Sequence, residues 1–174
     1  MSVHLIIDGY NLLGTQGQAD LGSEARENLL RDLMAYRQRK GHPITVVFDG
    51  WRQSLGTERH EHRAGVHVVY TKKGERADQV IQRLAMEYGH DCAVVSSDRE
   101  VADFARAHEA FVLGAAEFES RLRAEGKGAA RSAAVPSRKG SDEDDRPHFR
   151  PEKKGNPRKL PKAIRKRNRQ LRRF

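Results

Sequence analysis

The chain has 174 residues, 33% of them charged and 37% hydrophobic, and a net charge of +9. Residues 1–125 hold 16 lysines and arginines against 19 aspartates and glutamates, whereas the remaining residues hold 17 against 5. The single cysteine, Cys92, excludes an intrachain disulfide, and no apolar run is long enough for a membrane span. Without a signal-peptide pattern, a cytoplasmic location is expected, and the charge asymmetry favours a nucleic-acid partner.

Apolar runs and amphipathic segments alternate along the first 125 residues. The sequence predicts buried strands at 3–7, 44–48, 66–70, 91–95 and 110–113, with helices at 23–40, 78–88, 101–108 and 114–126. This alternation predicts an α/β fold of three layers, α/β/α, around a central, mostly parallel sheet. Residues 51–65 are polar and rich in histidine and arginine, so a surface loop or flap is expected there.

Residues 126–174 form a second region, a basic C-terminal tail with a net charge of +12. Its glycines, prolines and charges provide too little apolar surface to offset the entropy of ordering, so a disordered, RNA-binding tail is predicted. The last stretch, from Pro161, lacks helix breakers and is a candidate basic helix on an acidic partner.

Acidic residues follow the predicted strands where the strands end. Asp8 and Asp49 each begin an Asp-Gly pair directly after a strand, and Asp98 follows two serines after another. Asp78 begins the helix after the third strand. Parallel strands present their carboxyl ends at one edge, so these four side chains are expected to converge. Each acid alone is better explained as a helix cap or turn residue, and only the set of four favours a shared site.

A cluster of carboxylates in a partly desolvated site needs protons or cations to offset its repulsion, and hard divalent cations prefer such oxygen ligands. Asn11, three residues after Asp8, is a candidate to hold a ligand, a water or the substrate, or only to cap the helix or turn that follows. His60 and His62 invite a metal interpretation too, but alternating histidines in a polar segment are more often solvated or phosphate-facing.

The chain resembles the YacP-like branch of the NYN domain family, within the PIN-like nuclease superfamily. The resemblance covers about residues 1–123 and rests on four motifs: Ile6-Ile7-Asp8-Gly9-Tyr10-Asn11, Val47-Phe48-Asp49-Gly50, Gly74-Glu75-Arg76-Ala77-Asp78 and Val95-Ser96-Ser97-Asp98. It implies a PIN-like fold and a metal-dependent endoribonuclease. In that enzyme Mg²⁺ or Mn²⁺ is held by Asp8, Asp49, Asp78 and Asp98, assisted by Asn11. Asp103, inside a predicted helix, is a weaker member of the set. The branch includes ribosome-associated endonucleases that cut messenger RNA, so messenger or ribosomal RNA and the ribosome are the implied partners.

Candidate RNA contacts combine positive charge with aromatic rings beside the acids. Tyr10 and Trp51 are candidates to stack on bases, with ordinary packing at the sheet edge equally expected. The full set is Tyr10, Trp51, Arg52, Arg59, Arg63, Lys72, Lys73, Arg76, Arg165, Lys166, Arg167 and Arg169. Two functions follow: a metal-dependent endoribonuclease, or a non-catalytic RNA- or ribosome-binding module driven by the tail. A phosphatase with paired aspartates is disfavoured, because Tyr10 stands where its second aspartate belongs. The oligomeric state stays open.

Overall fold

The computed structural model of the chain describes residues 2–17, 22–50 and 56–131. Six of the predicted RNA contacts, and residues 132–174 of the tail predicted to be disordered, fall outside these ranges. The six residues are Trp51, Arg52, Arg165, Lys166, Arg167 and Arg169.

A mixed six-stranded sheet forms the centre of the described structure. Its strands are β1 (His4–Asp8), β2 (Ile44–Phe48), β3 (Arg59–Arg63), β4 (Val66–Tyr70), β5 (Cys92–Val95) and β6 (Phe111–Leu113). Their order is β3-β4-β2-β1-β5-β6, and all neighbours are parallel except β3 and β4. The predicted mostly parallel sheet is therefore confirmed.

Five α-helices accompany the sheet within the described residues. They are α1 (Gly9–Thr15), α2 (Ser23–Lys40), α3 (Ala77–Tyr88), α4 (Arg99–Ala107) and α5 (Ala115–Arg131). Helices α1, α2 and α5 pack together, whereas α3 packs on β1, β2, β5 and α4. This arrangement buries β2 and β5 along their whole length, as their continuous apolar runs predict. Among the described residues, no helix is long and apolar enough to cross a membrane.

Helix ends follow the expected chemistry with small shifts. Helix α2 ends at Gly41, whose φ of 74° places it in the left-handed region that glycine favours. The helix begins at Ser23, as predicted, after the N-cap residue Gly22. Helix α5 continues to Arg131, beyond the expected end near Gly126.

Two segments differ from the sequence-based prediction. Arg59–Arg63, expected as a surface loop, pairs antiparallel with β4 as an edge strand. It was missed because an exposed strand needs no apolar face, and its backbone bonds leave no trace in the side-chain pattern. The chain after Asp8 forms the short helix α1, where no helix was predicted.

The strand order places a topological switch between β1 and β5. The chain runs from β1 outward to β2 and β4, and then returns to the other side of β1 to form β5 and β6. In open α/β sheets the loops at such a point diverge and leave a crevice outside the carboxyl ends of the strands. We call this side of the sheet the carboxyl edge.

Candidate functional site

Asp8 is the last residue of β1 and the N-cap of α1. Its Oδ1 accepts a hydrogen bond of 3.1 Å from the backbone amide of Asn11, so the carboxylate satisfies one of the free donors of the helix. Only 8% of the residue is exposed. Its Oδ2 receives no hydrogen bond from the described part of the chain.

Asp49 follows β2, and its side chain contacts both the loop after β4 and the start of α3. Its Oδ1 accepts hydrogen bonds from the backbone amide of Ala77 at 3.0 Å and from the hydroxyl of Thr71 at 3.3 Å. The Thr71 hydroxyl oxygen also accepts from the amide of Gly50, so this buried threonine fixes the Asp-Gly turn. Sequence reasoning missed Thr71, although it follows directly after a strand, as Asp49 does.

Asp98 caps α4, in the same way that Asp8 caps α1. Its Oδ1 accepts from the amides of Glu100 at 2.8 Å and Val101 at 3.3 Å. The preceding turn is held from two sides: Ser96 Oγ accepts from the Asp98 amide, and Asn11 Oδ1 accepts from the Ser97 amide at 2.8 Å. The side chain of Asn11 thus joins the loop after β1 to the loop after β5.

Asp78 stands in the first turn of α3 and pairs with a cation. Its Oδ2 lies 2.5 Å from an Nη atom of Arg76. Burial raises the pKa of Asp78, the Arg76 guanidinium lowers it, and the charges of Asp98, Asp49 and Glu100 raise it further, so that the net direction is upward.

The four predicted acids share one electrostatic environment. The pKa of Asp8 is raised to about 6: burial raises it most, the hydrogen bond from the Asn11 amide lowers it, and the charges of Asp78, Asp49 and Asp98 raise it further. Mutual repulsion of this kind requires that the four groups lie near one another. The four carboxylates predicted to converge thus lie within electrostatic range of one another.

The carboxyl edge has the donor chemistry that a hard divalent cation needs. Asp8, Asp49 and Asp98 each use Oδ1 to hold a helix N-terminus, and each leaves Oδ2 without a hydrogen bond from the described residues. Mg²⁺ takes one or two carboxylates and completes its shell with water and substrate phosphate, so these residues fit it. Among the described residues, no three histidine, cysteine, aspartate or glutamate side chains form a group that could hold a metal ion, so an ion here would take most of its ligands from water and substrate.

The predicted cations are divided between the two ends of the sheet. Lys72 and Lys73 are exposed in the loop after β4, at the carboxyl edge. Arg59 lies opposite Tyr70, at the same edge, but pairs with Glu61. Arg63, expected as an RNA contact beside the acids, lies opposite Val66 at the far end of β4.

Arg63 is also neutralised, because Glu27 and Glu61 both bind its guanidinium. His60 and His62 lie on the same edge strand and contact His67, with 2.9 Å between Nδ1 of His60 and Nε2 of His67. No metal-binding group forms there within the described ranges.

Tyr10 packs against the sheet edge. Its ring meets Phe48 edge-on, with 5.3 Å between the ring centres, and its hydroxyl accepts a hydrogen bond from Arg26. Packing, one of the two roles expected for Tyr10, is thus present. Arg26 was not singled out from the sequence, because nothing in its helix distinguishes it from the other arginines.

Asp103 lies away from this environment. It bonds Arg106 at 2.8 Å along an exposed face of α4, with 62% of its side chain exposed. Its surroundings are those of a solvated helix face.

Comparisons with known proteins agree with this architecture. A family model described as "YacP-like NYN domain" matches residues 5–167, which extends into the basic segment, beyond the expected limit near residue 123. "Uncharacterized protein YacP" of Bacillus subtilis (strain 168) is 35% identical over 86 residues, which are 47% of this chain and 50% of that protein. The aligned part thus spans about half the length of this curated relative.

Two crystal structures of Rae1 (YacP) from Bacillus subtilis, one of them a mutant, superpose on the chain with a TM-score of 0.61 and 26% sequence identity. The mutant alignment covers 74% of this chain and 80% of the other, and the second alignment covers 76% and 79%. The three-layer arrangement is therefore shared with a solved member of the same family.

Proposed function

Because this chain belongs to the YacP-like NYN domain family, we propose that it is a metal-dependent endoribonuclease that hydrolyses RNA phosphodiester bonds. One observation supports the proposal most directly: the charges of Asp78, Asp49 and Asp98 add to burial in raising the pKa of Asp8. Perturbed acids in a crevice at a switch point are a frequent sign of a functional site.

The residues of the chain prepare this edge for a cation. Helix amides fix Asp8, Asp49 and Asp98 through Oδ1, so Oδ2 of each is the oxygen that would hold Mg²⁺ or Mn²⁺. Carboxylates that are already oriented need little reorganisation when charge develops on the substrate. A bound ion of this kind would supply an activated water and offset charge on the scissile phosphate.

The remaining residues control position and charge. Asn11 holds the Ser97 turn and with it the segment that carries Asp98. Arg76 neutralises part of the charge of Asp78, and the exposed Lys72 and Lys73 supply positive charge for a polyanionic strand.

Cleavage of a labelled RNA by the purified chain tests the proposal. We expect cleavage with Mn²⁺ or Mg²⁺, none in EDTA, and a loss of roughly hundredfold or more in Asp8→Asn. Asp103→Asn is the matched control, because it removes an exposed carboxylate from α4. Equal cleavage by the wild type and by Asp8→Asn would assign the activity to a contaminant.

A non-catalytic RNA-binding module is the second candidate, favoured by the net charge of +12 after residue 125. Removing residues 132–174 distinguishes the two candidate functions. The truncation leaves α5 complete. A nuclease should still cleave naked RNA at low salt, whereas a module driven by the basic tail should lose most of its binding.

Messenger or ribosomal RNA as the target, and association with the ribosome, are proposals that rest on the family resemblance. The test compares the rate of cleavage of one messenger RNA when it is free and when it is bound by translating ribosomes. Faster cleavage on ribosomes supports the association, and equal rates in both states contradict a requirement for it.

A further inference from the structure

A half-buried arginine from α2 lies at the carboxyl edge. Nη1 of Arg26 donates to the Tyr10 hydroxyl at 3.2 Å, and its Cζ atom lies 6.0 Å from the ring centre of Tyr70. Tyr10 is the second residue of α1, directly after Asp8-Gly9, and Tyr70 is the last residue of β4. The guanidinium is therefore placed beside the strand ends that carry the acids.

The surface that holds this guanidinium is rigid. The Tyr10 ring packs edge-on against Phe48, and Phe48 stacks on Tyr70 with 5.8 Å between ring centres. Phe48 is fully buried and Tyr70 is 5% exposed. A guanidinium held by an aromatic face and a hydroxyl has already lost part of its rotamer freedom, so a ligand would bind it at a smaller entropic cost.

The charge of Arg26 is not neutralised by the described residues. Arg63, Arg76 and Arg83 each have a carboxylate within ion-pair distance, whereas Arg26 has none in those ranges. One of its five N–H donors is used by Tyr10. The planar guanidinium fork that remains matches two oxygens of a phosphate.

We propose that Arg26 binds a backbone phosphate of the RNA strand and, with Tyr10 and Tyr70, positions that strand across the carboxyl edge. This inference rests on the proposed ribonuclease function. An acidic site repels a polyanion, and a fixed positive charge on its α1–α2 side offsets that repulsion next to the cleavage position. Lys72 and Lys73 would contact the strand from the loop after β4.

Binding of a short labelled single-stranded RNA to the full chain, titrated in EDTA over a range of salt concentrations, tests the inference. We expect Arg26→Gln to weaken binding on the order of tenfold and to reduce the slope of log K against log salt by about 0.7, the contribution of one phosphate contact. Arg31→Gln is the control, because it removes an exposed charge from the same helix. Its binding curve should stay close to that of the wild type.

Two further measurements separate this inference from the proposed function. In Mn²⁺, Arg26→Gln should raise KM more than it lowers kcat. Arg26→Lys keeps the positive charge but loses the planar guanidinium fork, so its KM should lie between those of the wild type and Arg26→Gln. If Arg26→Gln and Arg31→Gln have the same affinity and salt slope, Arg26 does not bind phosphate, whatever the cleavage assay gives. If the wild type fails to cleave but Arg26→Gln loses affinity, the phosphate contact stands and the nuclease proposal fails.

Discussion

The Oδ1 atom of Asn11 accepts a hydrogen bond of 2.8 Å from the backbone amide of Ser97, 86 residues away in the sequence. Ser97 Oγ in turn accepts from the amide of Ala115, the first residue of α5. One asparagine thus links the loops after β1 and β5 across the switch point, next to Asp8 and Asp98. This contact gives Asn11 a positioning role, because its carbonyl oxygen is already engaged.

Asn11→Ala should separate the two loops without unfolding the domain. We expect a loss of about 1 kcal/mol in the free energy of unfolding, typical of one net hydrogen bond. The losses in cleavage rate and in Mn²⁺ affinity, expressed as free energies, should be larger than that. Denaturant unfolding and Mn²⁺ titration measure the two effects. Asn28→Ala, which removes a bond between exposed side chains on α2, is the control. An Asn11→Ala variant with unchanged Mn²⁺ affinity would contradict the positioning role.

Asp8→Asn should stabilise the metal-free protein, with a defined pH dependence. The folded-state pKa is raised to about 6, so below the unfolded value near 4 the carboxyl is protonated in both states and the substitution changes little. Between these values the unfolded chain releases a proton that the folded chain keeps, so the wild type loses stability as the pH rises. Above pH 6 the difference should level off at on the order of 3 kcal/mol, since asparagine caps a helix as well as aspartate.

Urea unfolding of both proteins in EDTA, from pH 4 to 8, measures this difference. A stability gap that does not change with pH would show that the folded-state pKa of Asp8 is not raised.

Divalent cations should offset the loss of stability that the ionised Asp8 causes at neutral pH. At neutral pH we expect Mn²⁺ to raise the melting temperature, with about 2.7 kcal/mol of stabilisation at roughly 100 times its Kd. The effect should shrink toward pH 5, because protons on Asp8 and Asp78, whose pKa values are both raised, compete with the metal. Thermal unfolding with Mn²⁺ and with EDTA gives the comparison, and Asp49→Asn should abolish most of the shift. A shift of equal size in Asp49→Asn would place the ion elsewhere.

The Asp-Gly pairs should tolerate no side chain, for steric reasons. A Cβ atom at Gly50 would lie 1.7 Å from the Thr71 carbonyl oxygen, and one at Gly9 would lie 2.3 Å from Phe48 Cε1. We expect Gly50→Ala to cost at least roughly 3 kcal/mol, since overpacking against backbone allows little relaxation. Gly9→Ala should cost less, because the Phe48 ring can shift.

Gly14→Ala is the control for this pair of variants. Its Cβ would meet no atom within 4 Å, and alanine favours the helix by roughly 0.5–1 kcal/mol. Chemical unfolding of the three variants should therefore order them as Gly14→Ala, Gly9→Ala and Gly50→Ala, from most to least stable. A stable Gly50→Ala would show that the two loops are not as close as described.

The sequence by itself determined the layered fold, the family and the set of acids. Strands such as β2 and β5 are buried on both faces, so their apolar runs mark them locally, and each acid follows a strand or opens a helix. Parallel strands with helical connections then place those acids at one edge. The edge strand β3 left no such mark, because its exposed residues pair through the backbone and through ion pairs.

Only the tertiary structure decided which groups each acid contacts. From the sequence alone, helix capping and ligand binding were alternative roles for each acid. A carboxylate has two oxygens, however, and can serve both: Oδ1 of Asp8 and of Asp98 caps a helix, which leaves Oδ2 for a ligand. The contact of Asn11 with Ser97 and that of Arg26 with Tyr70 join segments far apart in the chain. Such contacts depend on strand order and side-chain direction, which are properties of the packed sheet and not of any local pattern.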